Sequence, residues 1–390
     1  MDSAARVRQT AVVTTFTFAT AGQIIFGPGK SAHLGSIVAG FGSRPFVCTG
    51  SDPGRHASVL DALRDVAVFQ IDHEPTVAMV RRGADAARDH GADVVVGLGG
   101  GSVMDAAKII AALVTNGGDP LDYAEVIGRG LPLSVRALPC IAVPTTAGTG
   151  SEVTANGVVA SPEHGVKVSL RSTSMLPSVA LVDPELTLAC PPAVTAHAGL
   201  DALVQCIEPF VSPFATPLTD GFCREGIRRA ARSLRRAFHH GDDLEARTDM
   251  SLCSLLSGMA LANGKLGVVH GLAGPLGGLL GAPHGALTAA VMVAAGRANL
   301  AALRADPAHP ALGRYAEIGD LLVGVRDPEA GLDWVAETAA ELGVPGLAAL
   351  GLREDQVPAV AHAAGRASST KGNPITLTVA QLTDILQESM

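Results

Sequence analysis

The chain has 390 residues, of which 47% are hydrophobic and 17% charged, so it is long enough for two globular domains with separate cores. A net charge of −8 without a basic run argues against nucleic acid and anionic membrane surfaces as partners, and 3% aromatic residues leave few side chains for base stacking. The six cysteines form no C-x-x-C pair, and no apolar run approaches 18 residues. We therefore expect a cytoplasmic protein with reduced thiols and no membrane-spanning segment.

The first half of the chain alternates short β-type runs with helical patterns, which predicts a parallel, layered α/β sheet. The predicted strands are Thr14 to Phe18, Gln23 to Phe26, Pro45 to Thr49, Ala67 to Ile71, Val94 to Leu98 and Cys140 to Val143, then a strand pair within Gly157 to Leu170, and Val179 to Val182. The predicted helices between them are Ser31 to Ala39, Ser58 to Val66, Thr76 to His90 and Val103 to Thr115.

Beyond Asp183 the alternating runs stop, and long stretches carry helical spacing, as at Leu218 to His239 and Leu244 to Leu261. We predict an α/β domain over residues 1–186 and an all-helical domain over residues 187–390, with the boundary near Pro191-Pro192. A cleft between two such domains is the natural place for a ligand.

The segment from Asp93 to Ser102 (DVVVGLGGGS) reads as a buried strand that runs into glycines, and a helical pattern follows at once. A strand, a glycine-rich turn and a helix N-terminus together form a typical pyrophosphate site. The glycine spacing differs from G-x-G-x-x-G, so the dinucleotide fingerprint is not met. The alternative is a tight turn between strand and helix that binds nothing.

A second segment of this kind is Pro144 to Thr154 (PTTAGTGSEVT), which follows a short apolar strand. Its hydroxyl side chains and free backbone N–H groups can donate to phosphate oxygens, and Gly148 and Gly150 would let the backbone approach a ligand closely. Two loops of this composition in one α/β domain favour a bound phosphate group over two empty turns.

The helical half contains a candidate metal site. Asp201 and Gln205 lie four residues apart on a predicted helix that begins at Gly199, so both face the same side. His270 and His284 follow within glycine-rich segments, and one carboxylate, one amide and two imidazoles suit Fe²⁺ or Zn²⁺. Each residue alone has a plainer explanation, since a lone histidine is often a core residue and Asp201 could complement a helix dipole.

Several of these motifs together resemble the iron-dependent (group III) alcohol dehydrogenases, over nearly the whole chain from Phe26 to the C-terminus. The motifs that carry the resemblance are Gly99 to Asp105, Pro144 to Thr154, Gly199 to Leu203, His270 to Ala273, Pro283 to Gly285 and Ser369 to Pro374. The resemblance implies an N-terminal dinucleotide-binding α/β domain with a parallel sheet, a C-terminal helical domain, and assembly as a dimer or larger homo-oligomer.

The resemblance also implies a nicotinamide cofactor and a divalent metal. The residues expected to bind the cofactor are Gly100, Gly101, Ser102, Thr145, Thr146, Thr149 and Ser151 on the two loops, and Lys167, which would contact a ribose. Asp201, His270 and His284 would be the metal ligands and the catalytic residues.

Two departures from the family pattern concern the metal and the proton. The family has a histidine where Gln205 stands, and an amide oxygen is a poorer donor for Fe²⁺ or Zn²⁺ than imidazole, so the metal could be weakly held, a harder ion, or absent. Many members have a further histidine where Gly274 stands, which leaves no obvious proton donor next to the substrate.

A third departure concerns the choice between NAD and NADP. Members specific for NAD often have an acidic residue near the position of Gly50, where it would repel a 2′-phosphate. Gly50 removes that repulsion and Arg55 lies close in sequence, so both NAD and NADP are open as cofactors. The alternative is that Gly50 only serves a tight turn.

We therefore expect hydride transfer between NAD(P)H and a small carbonyl compound or alcohol that is polarised by the metal. Three alternatives remain at the level of the sequence. They are a metal-free oxo-acid reductase of the maleylacetate reductase type, a lyase of the dehydroquinate synthase type, and a paralogue that only binds nucleotide.

Overall fold

The computed structural model describes residues 15–390. Its N-terminal half is built on a six-stranded sheet in which every strand pair is parallel, with the order β1-β8-β5-β4-β2-β3, and on a separate antiparallel hairpin of β6 and β7. The strands are β1 (Gln23–Phe26), β2 (Pro45–Thr49), β3 (Ala67–Gln70), β4 (Val94–Gly99), β5 (Cys140–Pro144), β6 (Asn156–Ser161), β7 (Val166–Arg171) and β8 (Val179–Val182).

The helices of the N-terminal half are α1 (Leu34–Ala39), α2 (Ala57–Leu60), α3 (Val77–His90), α4 (Gly101–Asn116) and α5 (Pro120–Tyr123). The four inner strands are buried along their whole length, which explains their continuous apolar sequences. On β4, Val95 packs into a cluster with α3 and α4, whereas Val94 and Val96 pack into a cluster with α1. The sheet is therefore covered by helices on both faces.

The C-terminal half is helical. Its helices are α6 (Pro192–Val211), α7 (Pro217–His239), α8 (Leu244–Gly264), α9 (Val268–Leu280), α10 (His284–Leu303), α11 (Pro310–Val323), α12 (Pro328–Glu341), α13 (Val357–Arg366) and α14 (Val379–Glu388). Short 3-10 turns occur at Lys30–His33, Pro53–His56, Ser151–Val153, Thr173–Met175, Pro184–Thr187, Glu354–Gln356 and Ser368–Gly372. The helices share one large apolar core, and α10 is central to it.

Helix α10 is long and apolar enough by composition to cross a membrane, and 67% of its most apolar window is buried inside the protein. Helices α8 and α9 pass the same test as a pair, but they meet at an angle of 99°. Burial of this kind is typical of a core helix in a globular protein.

The structure confirms the fold class and most of the predicted elements, and it corrects four of them. Residues 15–18 are not a strand, and the rest of that prediction (Thr14 and the preceding residues) lies outside the described part of the chain. The helix predicted at Ser58 to Val66 is only the four-residue α2, and the chain then turns through Asp65, whose φ is +47°.

The two remaining corrections concern helix starts. The helix expected over Ser31 to Ala39 divides into a 3-10 turn and α1, and the helix expected from Gly199 begins two turns earlier, at Pro192. A proline in the first turn favours that early start, because its missing N–H has no partner there in any case. The domain limits of 1–186 and 187–390 remain a proposal.

Candidate metal and cofactor site

The two glycine- and hydroxyl-rich loops lie side by side at the carboxyl edge of the sheet. Strand β4 ends at Gly99, β5 ends next to it at Pro144, and the N–H of Thr145 donates to the carbonyl of Gly99 at 3.0 Å. Gly100 caps α4, so the N–H groups of Gly101 and Ser102 stand in the first turn of α4, where no helical partner exists. This edge therefore offers free backbone donors at a helix N-terminus, as an anion site requires.

Glycines are needed where the two loops touch. A Cβ on Gly101 would lie 2.7 Å from Cγ2 of Thr149, and a Cβ on Gly100 would lie 3.4 Å from Oγ1 of Thr146. The structure thus brings together six of the predicted cofactor residues, Gly100, Gly101, Ser102, Thr145, Thr146 and Thr149.

Hydrogen bonds to two residues of α4 anchor Ser151 inside the protein. Its hydroxyl donates to Asp105 at 2.5 Å, and its carbonyl accepts from the ammonium of Lys108 at 2.9 Å. Lys108 is completely buried, and it also donates to Thr154 at 3.0 Å and pairs with Asp105 at 3.2 Å. Contact of Ser151 with a cofactor stays a prediction, whereas its role in anchoring the loop is visible.

Gly148 and Gly150 lie where the loop packs against the helical half, and their approach to a ligand stays a prediction. A Cβ on Gly148 would lie 2.7 Å from Cβ of Ala198 on α6, and a Cβ on Gly150 would lie 2.3 Å from Cα of Gly258 on α8. Gly150 also has a φ of +61°. The two glycines therefore let the loop pack against the helical half, which accounts for them without a ligand.

Glu152 follows in the same loop and is buried, with 1% of its surface exposed. Burial raises the pKa of Glu152 to about 7, against the opposing charge of Lys108. Among the described residues, Oε2 of Glu152 finds no hydrogen-bond donor. The hydroxyl-rich loop thus contains a buried carboxyl group whose pKa lies near neutrality.

Gly50 follows β2, next to β4, at the same edge of the sheet. The position that a Cβ on Gly50 would occupy is open space. Arg55 lies nearby in sequence and pairs with Asp52 at 3.3 Å, with both side chains more than half exposed. The structure leaves room at Gly50 for a larger cofactor group or a larger side chain.

Lys167 on β7 faces α9. Its ammonium lies 3.3 Å from Oε2 of Glu74 and would lie 3.4 Å from a Cβ on Gly277. Its charge also contributes to the pKa of His284. Lys167 therefore lies close to the candidate metal site as well as in the cofactor domain.

The structure brings together Asp201 on α6, His270 on α9 and His284 on α10. One ligand atom of each lies within 4.8 Å of those of the other two. Nε2 of His270 is 3.5 Å, and Nε2 of His284 is 3.9 Å, from Oδ1 of Asp201. A carboxylate and two imidazoles at this spacing suit one divalent transition metal ion.

Hydrogen bonds hold Asp201 and His270 so that Oδ1 of Asp201 and Nε2 of His270 face each other. Oδ1 of Asp201 accepts a hydrogen bond from Thr288 at 2.9 Å. Nδ1 of His270 donates to Glu208 at 2.6 Å, and Nε2 of His270 is left as a buried nitrogen without a partner among residues 15–390. An orphaned buried nitrogen next to a carboxylate and a second imidazole fits a metal ligand.

The charges of the cluster shift its pKa values. Burial alone would lower the pKa of His270, but the carboxylates of Glu208 and Asp201 raise it to about 10. Burial alone would raise the pKa of Asp201, but His284 and His270 hold it below its usual value. Desolvation in the cleft lowers the pKa of His284 despite the attraction of Asp201. The carboxylates of Asp201 and Glu208 therefore favour a positive charge between them, either a metal ion or a proton on His270.

Gln205 lies beside the cluster and is buried, with 3% of its surface exposed. Its Nε2 donates to Oδ2 of Asp201 at 2.8 Å, and its Oε1 accepts from the hydroxyl of Ser257 at 2.9 Å. The structure therefore places Gln205 at the site, with its amide nitrogen toward Asp201.

Gly274 is exposed, one turn after His270 on α9. A Cβ on Gly274 would meet nothing within 4 Å. Within residues 15–390, the space that a side chain at position 274 would occupy is therefore open, and it is accessible to solvent.

Comparison with known proteins identifies the class. A family model described as iron-containing alcohol dehydrogenase matches residues 21–184, and one described as the C-terminal part of the Fe-containing alcohol dehydrogenase family matches residues 195–390. The chain belongs to the iron-containing alcohol dehydrogenase family, and it is an oxidoreductase of the type that acts on alcohols.

Individual relatives agree with this assignment. The chain is 39% identical over 342 residues to 4-hydroxybutyrate dehydrogenase from Cupriavidus necator, which covers 85% of this chain and 87% of that protein. The crystal structure of a 1,3-propanediol oxidoreductase superimposes with a TM-score of 0.87 at 32% identity, over 97% of this chain and 100% of that one. Sulfoacetaldehyde reductase from Bifidobacterium kashiwanohense in complex with NAD⁺ gives a TM-score of 0.85 at 29% identity, over 96% and 98%.

Sequence reasoning missed Glu208, Ser257 and Thr288. Their side chains form hydrogen bonds with His270, Gln205 and Asp201 respectively. Glu208 lies seven residues after Asp201 and Thr288 four residues after His284, so helical spacing places each on the same face as a ligand. That signal was available for these two residues. Ser257 lies on another helix, and no spacing rule connects it to Gln205.

Proposed function

We propose that the protein is an NAD(P)-dependent alcohol dehydrogenase or carbonyl reductase with a divalent metal ion, Fe²⁺ or Zn²⁺, on Asp201, His270 and His284. The observation that carries this proposal is the buried Nε2 of His270, which has no hydrogen-bond partner within residues 15–390 and lies in a cluster of one carboxylate and two imidazoles. The loops at Gly100 to Ser102 and Thr145 to Thr149 support the cofactor, because they offer helix N–H groups and hydroxyls at a sheet edge. A family relative was crystallised with NAD⁺.

The residues of the two halves have separate tasks in this reaction. The free N–H groups of Gly101 and Ser102 would bind the diphosphate and so orient the nicotinamide toward the cleft. Asp201, His270 and His284 would hold the metal and, through it, the substrate oxygen. A metal bound there supplies Lewis-acid polarisation of the carbonyl, and the cofactor supplies or accepts the hydride.

Gln205 would be the fourth ligand, through its amide oxygen. The amide can turn over without losing its bond to Ser257, because the Ser257 hydroxyl lies 2.8 Å from the carbonyl of Ser254 and can donate there while it accepts from the Gln205 nitrogen. The turned amide would present its oxygen beside Oδ2 of Asp201. A neutral amide gives weaker binding of the metal than the histidine of the family.

The proton would pass through water or the cofactor ribose, since Gly274 offers no side chain and its surroundings are open. The space above Gly274 also leaves room for substrate. Small alcohols, aldehydes and ketones are the class we propose, and the named relatives suggest a first panel of 1,3-propanediol, 4-hydroxybutyrate and sulfoacetaldehyde.

We further propose that both NAD and NADP are accepted, because Gly50 puts no charge at the adenosine end of the sheet edge. A homo-oligomer in the cytoplasm is the expected form of the protein.

The test is elemental analysis of protein purified without chelator, beside Asp201→Ala and the exposed control Asp320→Ala. We expect about one Fe or Zn per chain, lost together with alcohol oxidation in Asp201→Ala and kept in Asp320→Ala. The loss of activity should be at least about 1,000-fold, because metal polarisation contributes several kcal/mol to the transition state. Turnover that survives both chelation and Asp201→Ala would overturn the metal-assisted mechanism.

A further inference from the structure

The N-terminus of α9, the helix that carries His270, is capped by residues from other segments of the chain. Gly267, the N-cap residue of α9, has no side chain that could accept the first N–H groups of the helix. Instead, Oε1 of Glu208 on α6 accepts from the N–H of Val269 at 2.7 Å, and Oδ1 of Asn373 accepts from the N–H of Val268 at 3.2 Å. The start of α9 is thus held by two residues that are distant in sequence.

A glycine at position 267 is required by this arrangement. A Cβ on Gly267 would lie 2.8 Å from Oε1 of Glu208 and 2.9 Å from Oδ1 of Asn373. A serine or aspartate, the usual cap, would therefore displace the very groups that accept from the helix. Glycine at this position provides no local cap, and it leaves room for Glu208 to reach the first turn of α9.

The second oxygen of the same carboxylate holds the ring of His270. Oε2 of Glu208 accepts from Nδ1 of His270 at 2.6 Å, and both residues are buried. In the neutral ring, a hydrogen on Nδ1 leaves the lone pair on Nε2, which faces Oδ1 of Asp201 at 3.5 Å. One carboxylate therefore fixes both the backbone and the ring orientation of His270.

The far side of Glu208 borders a small cavity whose lining is mostly apolar. The cavity has a volume of about 20 Å³, large enough for one water molecule, and Asn299, Tyr315 and Asn373 contribute to its lining. The side-chain amides of Asn299 and Asn373 donate to each other at 3.1 and 2.7 Å, and Asn299 also donates to the hydroxyl of Tyr315. Glu208 is thus buried between His270 and this cavity, and it makes no hydrogen bond to the two asparagines in the described residues.

We infer that Glu208 is a positioning residue that acts through His270, by holding its helix and its ring so that Nε2 is presented to the metal. This inference rests on the proposed function, because it needs a metal at Asp201, His270 and His284. The competing explanation is that Glu208 only caps α9 and stabilises the fold.

The chemistry of the two bonds separates these explanations. A carboxylate accepts two hydrogen bonds with its two oxygens, whereas glutamine at position 208 has one oxygen and one NH₂ group. If the oxygen of that glutamine keeps the N–H of Val269, its NH₂ group faces Nδ1 of His270. The ring then takes the other tautomer, with a hydrogen on Nε2, and cannot bind a metal without rearranging.

The experiment is a competition titration of the metal-free protein with Zn²⁺ against a chelator, for the wild type, Glu208→Gln and Asn373→Ala. Asn373→Ala is the matched control, because it removes the other cap of α9 without touching His270. We expect the affinity for zinc to fall about 10- to 100-fold in Glu208→Gln, the range for groups that orient metal-binding histidines. We expect it to stay within about threefold in Asn373→Ala, although both variants lower Tm.

The visible absorption of the Co²⁺-loaded protein gives a second measurement. A band changed in Glu208→Gln and kept in Asn373→Ala would support the positioning role. Should Glu208→Gln fail to fold, Glu208→Asp takes its place, since a carboxylate shorter by one methylene cannot reach both partners.

Zinc affinity and the cobalt spectrum unchanged in the folded Glu208 variant would overturn the inference and leave Glu208 as a helix cap. Wild-type protein that binds no zinc at all would instead contradict the proposed function, so the two failures are distinguishable.

Discussion

The two halves of the site differ in the chemical groups that they present, which are backbone groups in one half and side chains in the other. On the α/β side, backbone groups of two contiguous loops converge at a sheet edge, and glycines such as Gly101 let the loops touch. On the helical side, the groups are side chains from three helices, and two of them are held by further residues, as Glu208 holds His270 and Thr288 holds Asp201. Backbone donors need only the right turn, whereas side-chain ligands need a second layer of partners.

The buried charges of the two halves differ in the same way. Around the metal cluster, the carboxylates of Asp201 and Glu208 accept bonds from several donors. In the cofactor loop, Glu152 is equally buried, but within residues 15–390 its Oε2 finds no donor. Lys108 on the same side is also buried and has three partners, so Glu152 is the exception among these buried charges, and it costs stability when ionised.

Glu152→Gln has the largest expected effect, because it removes the buried charge on the α/β side whose Oε2 lacks a donor within residues 15–390. The pKa of Glu152 is raised from 4.5 to about 7 in the fold, so folding takes up a proton between these values and stability is lost as the pH rises through about 7. At pH 8 the free energy of unfolding of the variant should exceed that of the wild type by up to about 3 kcal/mol, because one pKa unit corresponds to 1.36 kcal/mol. Near pH 4.5 the two free energies should agree. Thermal unfolding at both pH values measures the difference.

The control for this prediction is Glu163→Gln, which removes a charge from an exposed turn of the β6–β7 hairpin. An equal gain of stability in both variants, or none in Glu152→Gln at pH 8, would show that Glu152 is not destabilised by its burial.

Gly101→Ala tests the backbone half of the comparison. The added Cβ would lie 2.7 Å from Thr149, so the second loop must move away from the first turn of α4. We expect the affinity for NADH to fall about tenfold, near the cost of one lost hydrogen bond to a charged group, with the metal content unchanged. Fluorescence titration with NADH measures it, beside Gly313→Ala on α11, where a Cβ meets open space. Unchanged binding in Gly101→Ala would show that the loops tolerate separation.

Sequence patterns predicted the inner strands of the α/β side and the two loops that follow β4 and β5, because the information for them is local. The apolar runs of β4 and β5 and the glycines that follow them occupy adjacent positions in the chain, so strand, turn and helix start could be read together. The failure at Ser58 to Val66 is also local in origin, since the pattern there has helical spacing but the chain turns at Asp65.

What depends on contacts between distant segments could not be predicted. Asp201, His270 and His284 were found as ligand types, yet only the fold shows that Glu208 joins the start of α9 to the ring of His270. In the same way, Gly150 looked like a ligand-binding glycine, and its contact with Gly258 on α8 was invisible in the sequence.

Gln205→His tests how the residue at position 205 sets the metal affinity of the side-chain half. Imidazole is a better donor than an amide oxygen for Fe²⁺ or Zn²⁺, so zinc affinity should rise about tenfold. Ser257→Ala should weaken zinc binding about threefold when Gln205 is present and have no effect beside a histidine, because only the amide bonds to Ser257. The four affinities of this double-mutant cycle measure the coupling directly. Additive effects would show that Ser257 does not orient the Gln205 amide.

Gly50→Asp carries the smallest expected effect, because it adds one side chain to open space at the sheet edge. An aspartate there would repel a 2′-phosphate, and unit charges about 4 Å apart in water interact by about 1 kcal/mol, so NADPH should bind about fivefold more weakly. NADH affinity should stay within about twofold of the wild type. Arg55→Ala provides the complementary measurement, with a loss of NADPH affinity alone if Arg55 leaves Asp52 for the phosphate. If neither variant changes the NADPH to NADH ratio, Gly50 serves only the turn after β2, and the cofactor half is then set by backbone alone.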